Sequence, residues 1–234
     1  GPAAALLKLL ASPNIASKEA VYRQYDHQVQ TNTVVGPGSD AAVLRIKGGN
    51  KGIALCIDGN GRYCYLDPYR GGQIVVAEVC RNLSCSGAAP LALTDCLNFG
   101  NPENPEVYYQ LEWCIRGMAK ACRAFGVPVV SGNVSLYNEA GGQAVFPTPV
   151  VGALGLLDDV TRHSSIAFDG RGDVVMLLGR KQDYSIGFCR PPAIAADAKI
   201  IQIEIDETEL GRNYPIAVGI QADAGAALQG ILNG

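Results

Sequence analysis

The chain has 234 residues, a formal net charge of −3, and a composition that is 48% hydrophobic and 18% charged. This length allows one large domain or two small ones, and the composition is typical of a folded globular protein. Since no basic run stands out, we do not expect a nucleic-acid binder. We also expect neither a membrane span nor a signal peptide.

The cysteines indicate a reducing compartment rather than a disulfide framework or a zinc site. None of the eight forms a C-x-x-C pair, and His27 and His163 are the only histidines. Most of the cysteines stand among apolar residues, as small buried hydrophobes do. We therefore expect a cytoplasmic protein. Residues 1–5 resemble a protease-cleavage scar followed by an alanine spacer.

The first elements in chain order are short. Apolar spacing predicts helices over Leu6–Ala11 and Lys18–Tyr25, and then strands over Ala41–Ile46 and Gly52–Ile57. His27 follows an aspartate, which suggests catalysis, but a histidine in an exposed loop is ordinary and is the favoured interpretation.

Two aspartates stand at the edges of these predicted strands. Asp40 precedes the first strand and Asp58 follows the second, so both could join a Mg²⁺ site. As ordinary turn residues they need no such role, and this second interpretation is favoured.

Two long helices and further strands follow. The helices are predicted over Gly71–Cys85 and Pro105–Phe125, the second ending at Gly126. Within the second, Trp113 and Tyr109 are predicted to lie in the core. Strands over Ala144–Phe146 and Val150–Leu157 complete the sheet, and the order of elements favours an α+β subdomain.

Two similar stretches carry most of the chemical information. In each, an apolar strand runs into polar residues: residues 90–94 lead to Asp95, and the predicted buried strand Val127–Val130 breaks into Ser131, Gly132 and Asn133. A glycine allows either a close backbone approach or a positive φ. Oxygen ligands after two strands predict one Mg²⁺ and phosphate site built from both, although turn chemistry alone also explains asparagine and glycine.

Residues 6–179 resemble the second half of the small-type phosphoribosylformylglycinamidine synthase. The similarity is carried by long segments, including LTDCLNFGNPENPEVYYQ, VVSGNVSLYNE, PTPVVGALGLLDDV and DGNGRYCYLDPYRGG. It implies that residues 6–157 form a synthetase-like subdomain, with a mixed sheet covered by helices on one face. It also implies a sheet that pairs with a partner half, so we expect a homodimer through this sheet.

The resemblance also implies chemistry. The family is an ATP-dependent ligase of purine biosynthesis that converts formylglycinamide ribonucleotide to its amidine, with ammonia from a separate glutaminase subunit. Carried over by position, Asp95 and Gly132 match ATP contacts, Asn133 matches a Mg²⁺ ligand, and Ser135 matches a substrate contact. The family's catalytic histidine belongs to its other half, so we expect this chain to be inactive alone.

The end of the chain resembles a different family. Residues 173–234 are similar to the central domain of thiamine-diphosphate-dependent enzymes such as oxalyl-CoA decarboxylase, with motifs around Arg190, Asn213 and Asp223. Strands near 174–178, 200–205 and 216–220 with a helix at 224–232 predict a small Rossmann-like α/β half unit. Asp206 follows a strand and could bind a ribose, although capping of the next helical turn is favoured.

Three interpretations stay open at this point. The chain could be a fragment of the purine-pathway ligase, with residues 158–172 as a linker to the tail. It could instead be a non-catalytic chimera or scaffold with a vestigial nucleotide site. The tail alone supports a third interpretation, a nucleotide-binding module like that of the thiamine enzymes.

Overall fold

The computed structural model describes residues 1–165, 174–191 and 193–233, and divides the chain into two compact units, 1–166 and 167–234. Residues 166–172 of the predicted linker, together with Asp173 and Pro192, lie outside the described residues. No helix in the described part of the chain is long and apolar enough to cross a membrane. Each unit has its own apolar core.

The first unit is built on a mixed sheet of six strands. Its helices are α1 (Pro2–Leu10), α2 (Glu19–Tyr22), α3 (Gly61–Leu66), α4 (Pro68–Cys85) and α5 (Pro105–Phe125). Its sheet strands are β1 (Thr33–Val35), β2 (Ala42–Arg45), β3 (Gly52–Asp58), β4 (Ala89–Asn98), β5 (Val129–Ser135) and β8 (Thr148–Leu157). The two remaining strands, β6 (Glu139–Ala140) and β7 (Gln143–Ala144), form a separate hairpin.

The order of strands in the sheet is β1-β2-β3-β8-β4-β5. All neighbours are antiparallel except β4 and β5, which are parallel and lie at one edge. The last strand in sequence, β8, therefore occupies a central position between β3 and β4. Its residues alternate between buried and half-buried, which is the period of two expected for a strand with two different faces.

Helices α4 and α5 cover one face of this sheet. Asp67 caps the start of α4 by accepting a hydrogen bond from the Arg70 amide, and Pro68 follows at the first helical position. Helix α5 begins at Pro105 and ends at Gly126, whose φ of 68° is the left-handed conformation that glycine adopts without strain. Both long helices were correctly predicted from the spacing of apolar residues.

The two helices pack closely because small residues lie where they meet. A Cβ added to Gly117 of α5 would stand 2.0 Å from the Tyr69 carbonyl oxygen, and one on Gly72 of α4 would stand 2.3 Å from the Cys114 carbonyl oxygen. Any side chain at these two positions would push the backbones apart. The sheet's buried residues pack beneath α4, around Val76, Val79, Leu83, Leu93 and Val151.

Several predictions for this unit are wrong. The stretch Val127–Val130 is not a short buried strand: β5 begins at Val129, continues through Ser131–Ser135, and its valines are exposed because β5 is an edge strand paired only with β4. Residues 144–146 do not complete the main sheet, since Ala144 belongs to the hairpin.

The aromatic residues of α5 also differ from the prediction. Trp113 and Tyr109 lie on the exposed side of the helix, 37% and 53% exposed, where Trp113 contacts the Tyr69 ring edge-on and Tyr109 contacts Trp113. Helices α1 and α2 differ in length from the predicted Leu6–Ala11 and Lys18–Tyr25, as helix ends often do.

The second unit contains a three-stranded parallel sheet. Its strands are β9 (Val174–Leu178), β10 (Lys199–Glu204) and β11 (Val218–Gln221), in the order β11-β10-β9, and helix α6 (Ala224–Asn233) follows. The predicted strands and helix of the tail are confirmed. Two fully buried glutamines, Gln182 and Gln202, hold the loops that follow β9 and β10 through hydrogen bonds to the backbone.

Candidate functional site

Strands β4 and β5 bring the two polar stretches of the sequence side by side. In their parallel register Asp95 is opposite Gly132, Cys96 is opposite Asn133, and Asn98 is opposite Ser135. The expectation that both stretches lie at one place in the fold is therefore met. They lie within the two strands and not beyond their ends, however, because β4 continues to Asn98 and β5 continues to Ser135.

Gly132 lies where the Asp95 side chain of β4 extends over the neighbouring strand β5, and a larger residue at this position would collide with that side chain. A Cβ built on Gly132 would stand 2.1 Å from Asp95 Oδ1 and 2.9 Å from the Asp95 carbonyl oxygen. Gly132 does not have a positive φ, so of its two expected roles only the close approach applies. The absence of a side chain leaves room for a carboxylate directly over the edge strand.

The Asp95 carboxylate has no charged or hydrogen-bonding partner among the described residues. No hydrogen bond or ion pair joins it to another side chain or to the backbone there. Partial burial raises the pKa of this carboxyl above its usual value, because desolvation penalises the charged form. A half-buried anion without a partner is unfavourable for folding and is suited to a cation or a proton donor brought by a ligand.

An apolar cavity of about 610 Å³ opens beside Asp95, between α5 and the edge of the sheet. Asp95 provides an acidic group in a lining that is otherwise mainly aliphatic, with Arg123 as its basic residue. This combination of an apolar wall with few polar groups is typical of small-molecule sites. The wall is formed by Leu97, Ile115, Met118, Ala119, Cys122, Val127, Pro128 and Val129, together with Gly126.

Asn133 lies next to Gly132 but on the other face of β5. Successive side chains of a strand point to opposite faces, so Asn133 shares its face with Ser131, whose hydroxyl donates to Thr94 Oγ1. Both Asn133 and Asp95 border a shallow depression of about 450 Å³ along the exposed edge. Within the described residues, no group of three or more His, Cys, Asp or Glu side chains is placed to hold a metal ion.

Ser135 is held by Asn138 at the end of the edge strand. Asn138 Nδ2 donates to the Phe99 carbonyl oxygen (3.0 Å) and the Ser135 carbonyl oxygen (2.9 Å), and lies 3.1 Å from Ser135 Oγ. The turn between them contains Tyr137 with a φ of 59°, which is uncommon for a non-glycine residue. Asn138 thus ties the ends of β4 and β5 together, a role that no local sequence signal revealed.

Asp58 lies in the same row of the sheet as Asp95. Both are paired with Val151 of β8, one from each side, and Val151 is fully buried beneath the helices. Directly paired residues share a face, so Asp58, Val151, Asp95 and Gly132 lie in one line across the helix-covered face. With a strand spacing of about 4.8 Å, the backbones of the two aspartates are roughly 10 Å apart.

Of the other predicted residues, Asp40 lies outside the strands of the sheet and Asp206 belongs to the second unit. Asp40 is exposed and precedes β2, while Asp58 itself already accepts a hydrogen bond of 2.6 Å from the Gly59 amide. In the second unit, Asp206 accepts hydrogen bonds from the Thr208 amide and hydroxyl, which lower the pKa of its carboxyl. This arrangement supports the capping interpretation of Asp206.

Comparison with known proteins identifies the family to which the first unit belongs. The family model "AIR synthase related protein, N-terminal domain" matches residues 38–157, more than half of the chain. The chain belongs to this family. A second model, "Thiamine pyrophosphate enzyme, central domain", matches residues 123–231 and so overlaps the first over β5 and β8.

Curated relatives and solved structures agree with this assignment. The chain is 61% identical over 174 residues to phosphoribosylformylglycinamidine synthase subunit PurL of Moorella thermoacetica, covering 74% of this chain and 24% of that protein. It is 58% identical over 177 residues to the same subunit of Caldanaerobacter subterraneus, with 76% and 24% covered. The chain thus spans about a quarter of the length of these relatives.

Two solved structures from Thermotoga maritima are similar in fold to part of this chain. One is described as the structure of PurLQS, with a TM-score of 0.60, 40% identity, and coverage of 64% of this chain and 25% of that chain. The other is PurL complexed with ATP, with a TM-score of 0.57, 39% identity, and coverage of 64% and 24%.

Proposed function

We propose that this chain carries part of the nucleotide site of an ATP-dependent, amidine-forming ligase of purine biosynthesis. In the proposed reaction, ATP phosphorylates the amide oxygen of formylglycinamide ribonucleotide, and ammonia then displaces phosphate. The observation that carries the proposal is the Asp95 carboxylate that lies against Gly132, has no partner in the described part of the chain and belongs to a segment 61% identical to PurL. A relative with 39% identity is described as complexed with ATP.

In this proposal the four residues have separate roles. Asp95 and Gly132 contact ATP, Gly132 by letting the ligand and the carboxylate approach the backbone. Asn133 is a Mg²⁺ ligand, and Ser135, held in place by Asn138, contacts the ribonucleotide substrate. Phosphoryl transfer depends on positioning and on positive charge near the transferring group, and these residues supply the positioning.

The residues at this edge of the sheet provide only some of the ligands that a Mg²⁺ ion needs. The Asp95 carboxylate, which has no partner among the described residues, is a suitable hard-oxygen ligand, and Asn133 borders the same depression. Mg²⁺ commonly uses one or two carboxylates together with phosphate oxygens and water, so a single protein ligand is sufficient to contribute to a site. When bound, the ion supplies positive charge to the phosphate groups.

The open face of the six-stranded sheet supports the proposal of a partner half. Its exposed residues include Leu55, Ile57 and Val130, which are 41%, 75% and 67% exposed. Burial of such side chains against a second copy, or against another half of a longer protein, is favourable. The ammonia would come from a glutaminase partner, and eight free cysteines agree with a reducing cytoplasm.

A second candidate function concerns the tail. The match to the thiamine enzyme central domain and the parallel sheet β11-β10-β9 favour a nucleotide-binding module in residues 173–234, and a chimera of the two families. In this candidate Asp206 binds a ribose, which would require it to exchange its hydrogen bonds with Thr208 for hydrogen bonds to the ligand.

Calorimetric titration with Mg-ATP separates these candidates. We expect binding by the chain that is lost in Asp95→Ala and weakened in Asn133→Ala, and that is unchanged in Asp206→Ala. Binding that is sensitive only to Asp206→Ala would move the site to the tail. A folded chain that binds no nucleotide would favour the vestigial site of a non-catalytic scaffold. Amidine formation by the chain alone would contradict our expectation that it is inactive without its other half.

A further inference from the structure

A polar cleft of about 390 Å³ lies where the end of α3 and the start of α4 face the beginning of α5. Its lining includes two tyrosines, Tyr65 and Tyr109, and two carboxylates, Asp67 and Glu106, and within the described part of the chain it contains no basic residue. The cleft shares no residue with the cavity or the depression beside Asp95, so the proposed nucleotide site does not account for it.

Neither carboxylate is fully used inside the chain. Asp67 Oδ1 caps α4 by accepting a hydrogen bond from the Arg70 amide at 3.0 Å, and Asp67 Oδ2 lies 3.4 Å from Arg70 Nε in an exposed pair of the kind that contributes little. At the start of α5 the cap is Asn104, whose side chain accepts from the Glu106 amide. The Glu106 carboxylate has no hydrogen bond or ion pair among the described residues, so it is available to a ligand.

The two tyrosine rings are held by other rings. Tyr65 contacts Phe146 with ring centroids 5.0 Å apart, and Tyr109 contacts Trp113 with centroids 5.9 Å apart. Both tyrosines are nevertheless 53% exposed. Because the neighbouring rings already limit their motion, a ligand in the cleft would immobilise them at little further cost in side-chain entropy.

Helix α5 already binds one guanidinium group through a ring and a carboxylate. The Arg116 guanidinium lies 5.7 Å from the centroid of the Trp113 ring, and its Nε and Nη2 donate to Glu112 Oε1 at 2.9 and 2.7 Å. A planar guanidinium can stack on a ring and bind a carboxylate at the same time, which a lysine ammonium does less well. The cleft presents the same two kinds of group to a ligand.

We propose that this cleft binds the arginine side chain of a partner protein. The guanidinium lies between the Tyr65 and Tyr109 rings and pairs with the Glu106 and Asp67 carboxylates. A protein segment is favoured over a small guanidinium compound because Leu66, which also lines the cleft, is 78% exposed. The residues on either side of a partner's arginine would cover this leucine and remove its apolar surface from water.

The test is a titration of the full chain in about 0.15 M salt, where weak long-range attraction is screened. The probe is the blocked peptide acetyl-Ala-Leu-Arg-Leu-Ala-amide, and its control carries citrulline, which keeps the shape of arginine without its charge. Binding is measured by calorimetry, and the fluorescence of Trp113 provides a second signal because this ring contacts Tyr109. We expect saturable binding of the arginine peptide and none of the citrulline peptide.

Two variants test the lining and a third is their control. Glu106→Gln should weaken binding about tenfold, the loss expected for one charge-assisted hydrogen bond. Tyr109→Leu should weaken it about threefold through the lost cation–π contact. Glu112→Gln removes the same charge from the same helix, but this carboxylate pairs with Arg116 and does not line the cleft, so binding should be unchanged. Far-UV circular dichroism checks that each variant is folded.

Four results would overturn the proposal. One is the absence of saturable binding up to about 10 mM arginine peptide. Another is equal binding of the citrulline peptide, which would show an apolar contact alone. A third is an equal loss in Glu106→Gln and Glu112→Gln, which would indicate attraction to the charge of the helix as a whole. The fourth is free argininamide that binds as tightly as the peptide, because the cleft would then take a small guanidinium compound and not a partner protein.

Discussion

Replacement of Gly132 by alanine tests the close contact on which the candidate site depends. The added Cβ would stand 2.1 Å from Asp95 Oδ1, 2.7 Å from Asp95 Cγ and 2.9 Å from the Asp95 carbonyl oxygen. Since the carboxylate can rotate but the backbone carbonyl cannot, part of the strain stays after the side chain moves. We expect Gly132→Ala to lower the free energy of unfolding by about 1–3 kcal/mol, as overpacked sites do.

The carboxylate's share of this cost can be measured in a double-mutant cycle. Asp95→Ala removes the two shortest contacts and leaves the carbonyl contact of 2.9 Å. We therefore expect Gly132→Ala to cost less in the Asp95→Ala background, with a coupling energy of about 0.5–3 kcal/mol. Urea unfolding followed by the fluorescence of Trp113, the only tryptophan, reports on the first unit alone. An equal cost of Gly132→Ala in both backgrounds would refute the contact.

Three further predictions use the same assay. The pKa of Asp95 is raised in the folded chain, so the unfolding free energy of the wild type relative to Asp95→Asn should fall as pH rises above the usual aspartate pKa. Gly117→Ala should cost about 1–3 kcal/mol, because its Cβ would stand 2.0 Å from the Tyr69 carbonyl oxygen, which cannot rotate away. Asn138→Ala should cost about 1–3 kcal/mol, because the side-chain amide loses its hydrogen bonds to the Phe99 and Ser135 carbonyl oxygens while the backbone amide of residue 138 keeps its bond to Phe99.

Each of these predictions has a matched control. Asn133→Ala changes an exposed asparagine and should stay within about 0.5 kcal/mol of the wild type, in contrast to Asn138→Ala. Ala119→Gly removes a methyl from α5 near Gly117 and should cost only about 1 kcal/mol through helix propensity. A pH dependence identical in the wild type and Asp95→Asn would show that Asp95 has an ordinary pKa.

The two long helices were predictable because their signals are local. The proline at the start of α5, the glycine at its end and the spacing of apolar residues all lie within the helix itself. The tail's strands were predictable for a similar reason, since β10 contains the β-branched residues Ile200, Ile201 and Ile203. Boundaries of this kind do not depend on what packs against the element.

The burial of individual residues was less predictable because it depends on the sheet order. Val129 and Val130 have the composition of a buried strand, yet β5 is an edge strand without a covering helix on its open face. Likewise, Trp113 is apolar enough for a core, but α5 turns it away from the sheet. The insertion of β8 between β3 and β4 is a long-range pairing that no local pattern specifies.

The candidate site shows the same division between local and long-range information. Asp95 and Gly132 were identified from their own stretches, but their contact depends on the parallel register of β4 and β5. That Asp58 lies on the same row follows only from the central position of Val151. The row lies within the sheet, beneath helices that restrict access of solvent, and the Asp95 carboxylate is therefore partly desolvated. A carboxylate in an open turn at the end of a strand would stay solvated. A desolvated carboxylate lowers the stability of the folded chain, and a ligand that neutralises its charge would explain why it is present. For this reason the proposed nucleotide site is centred on Asp95.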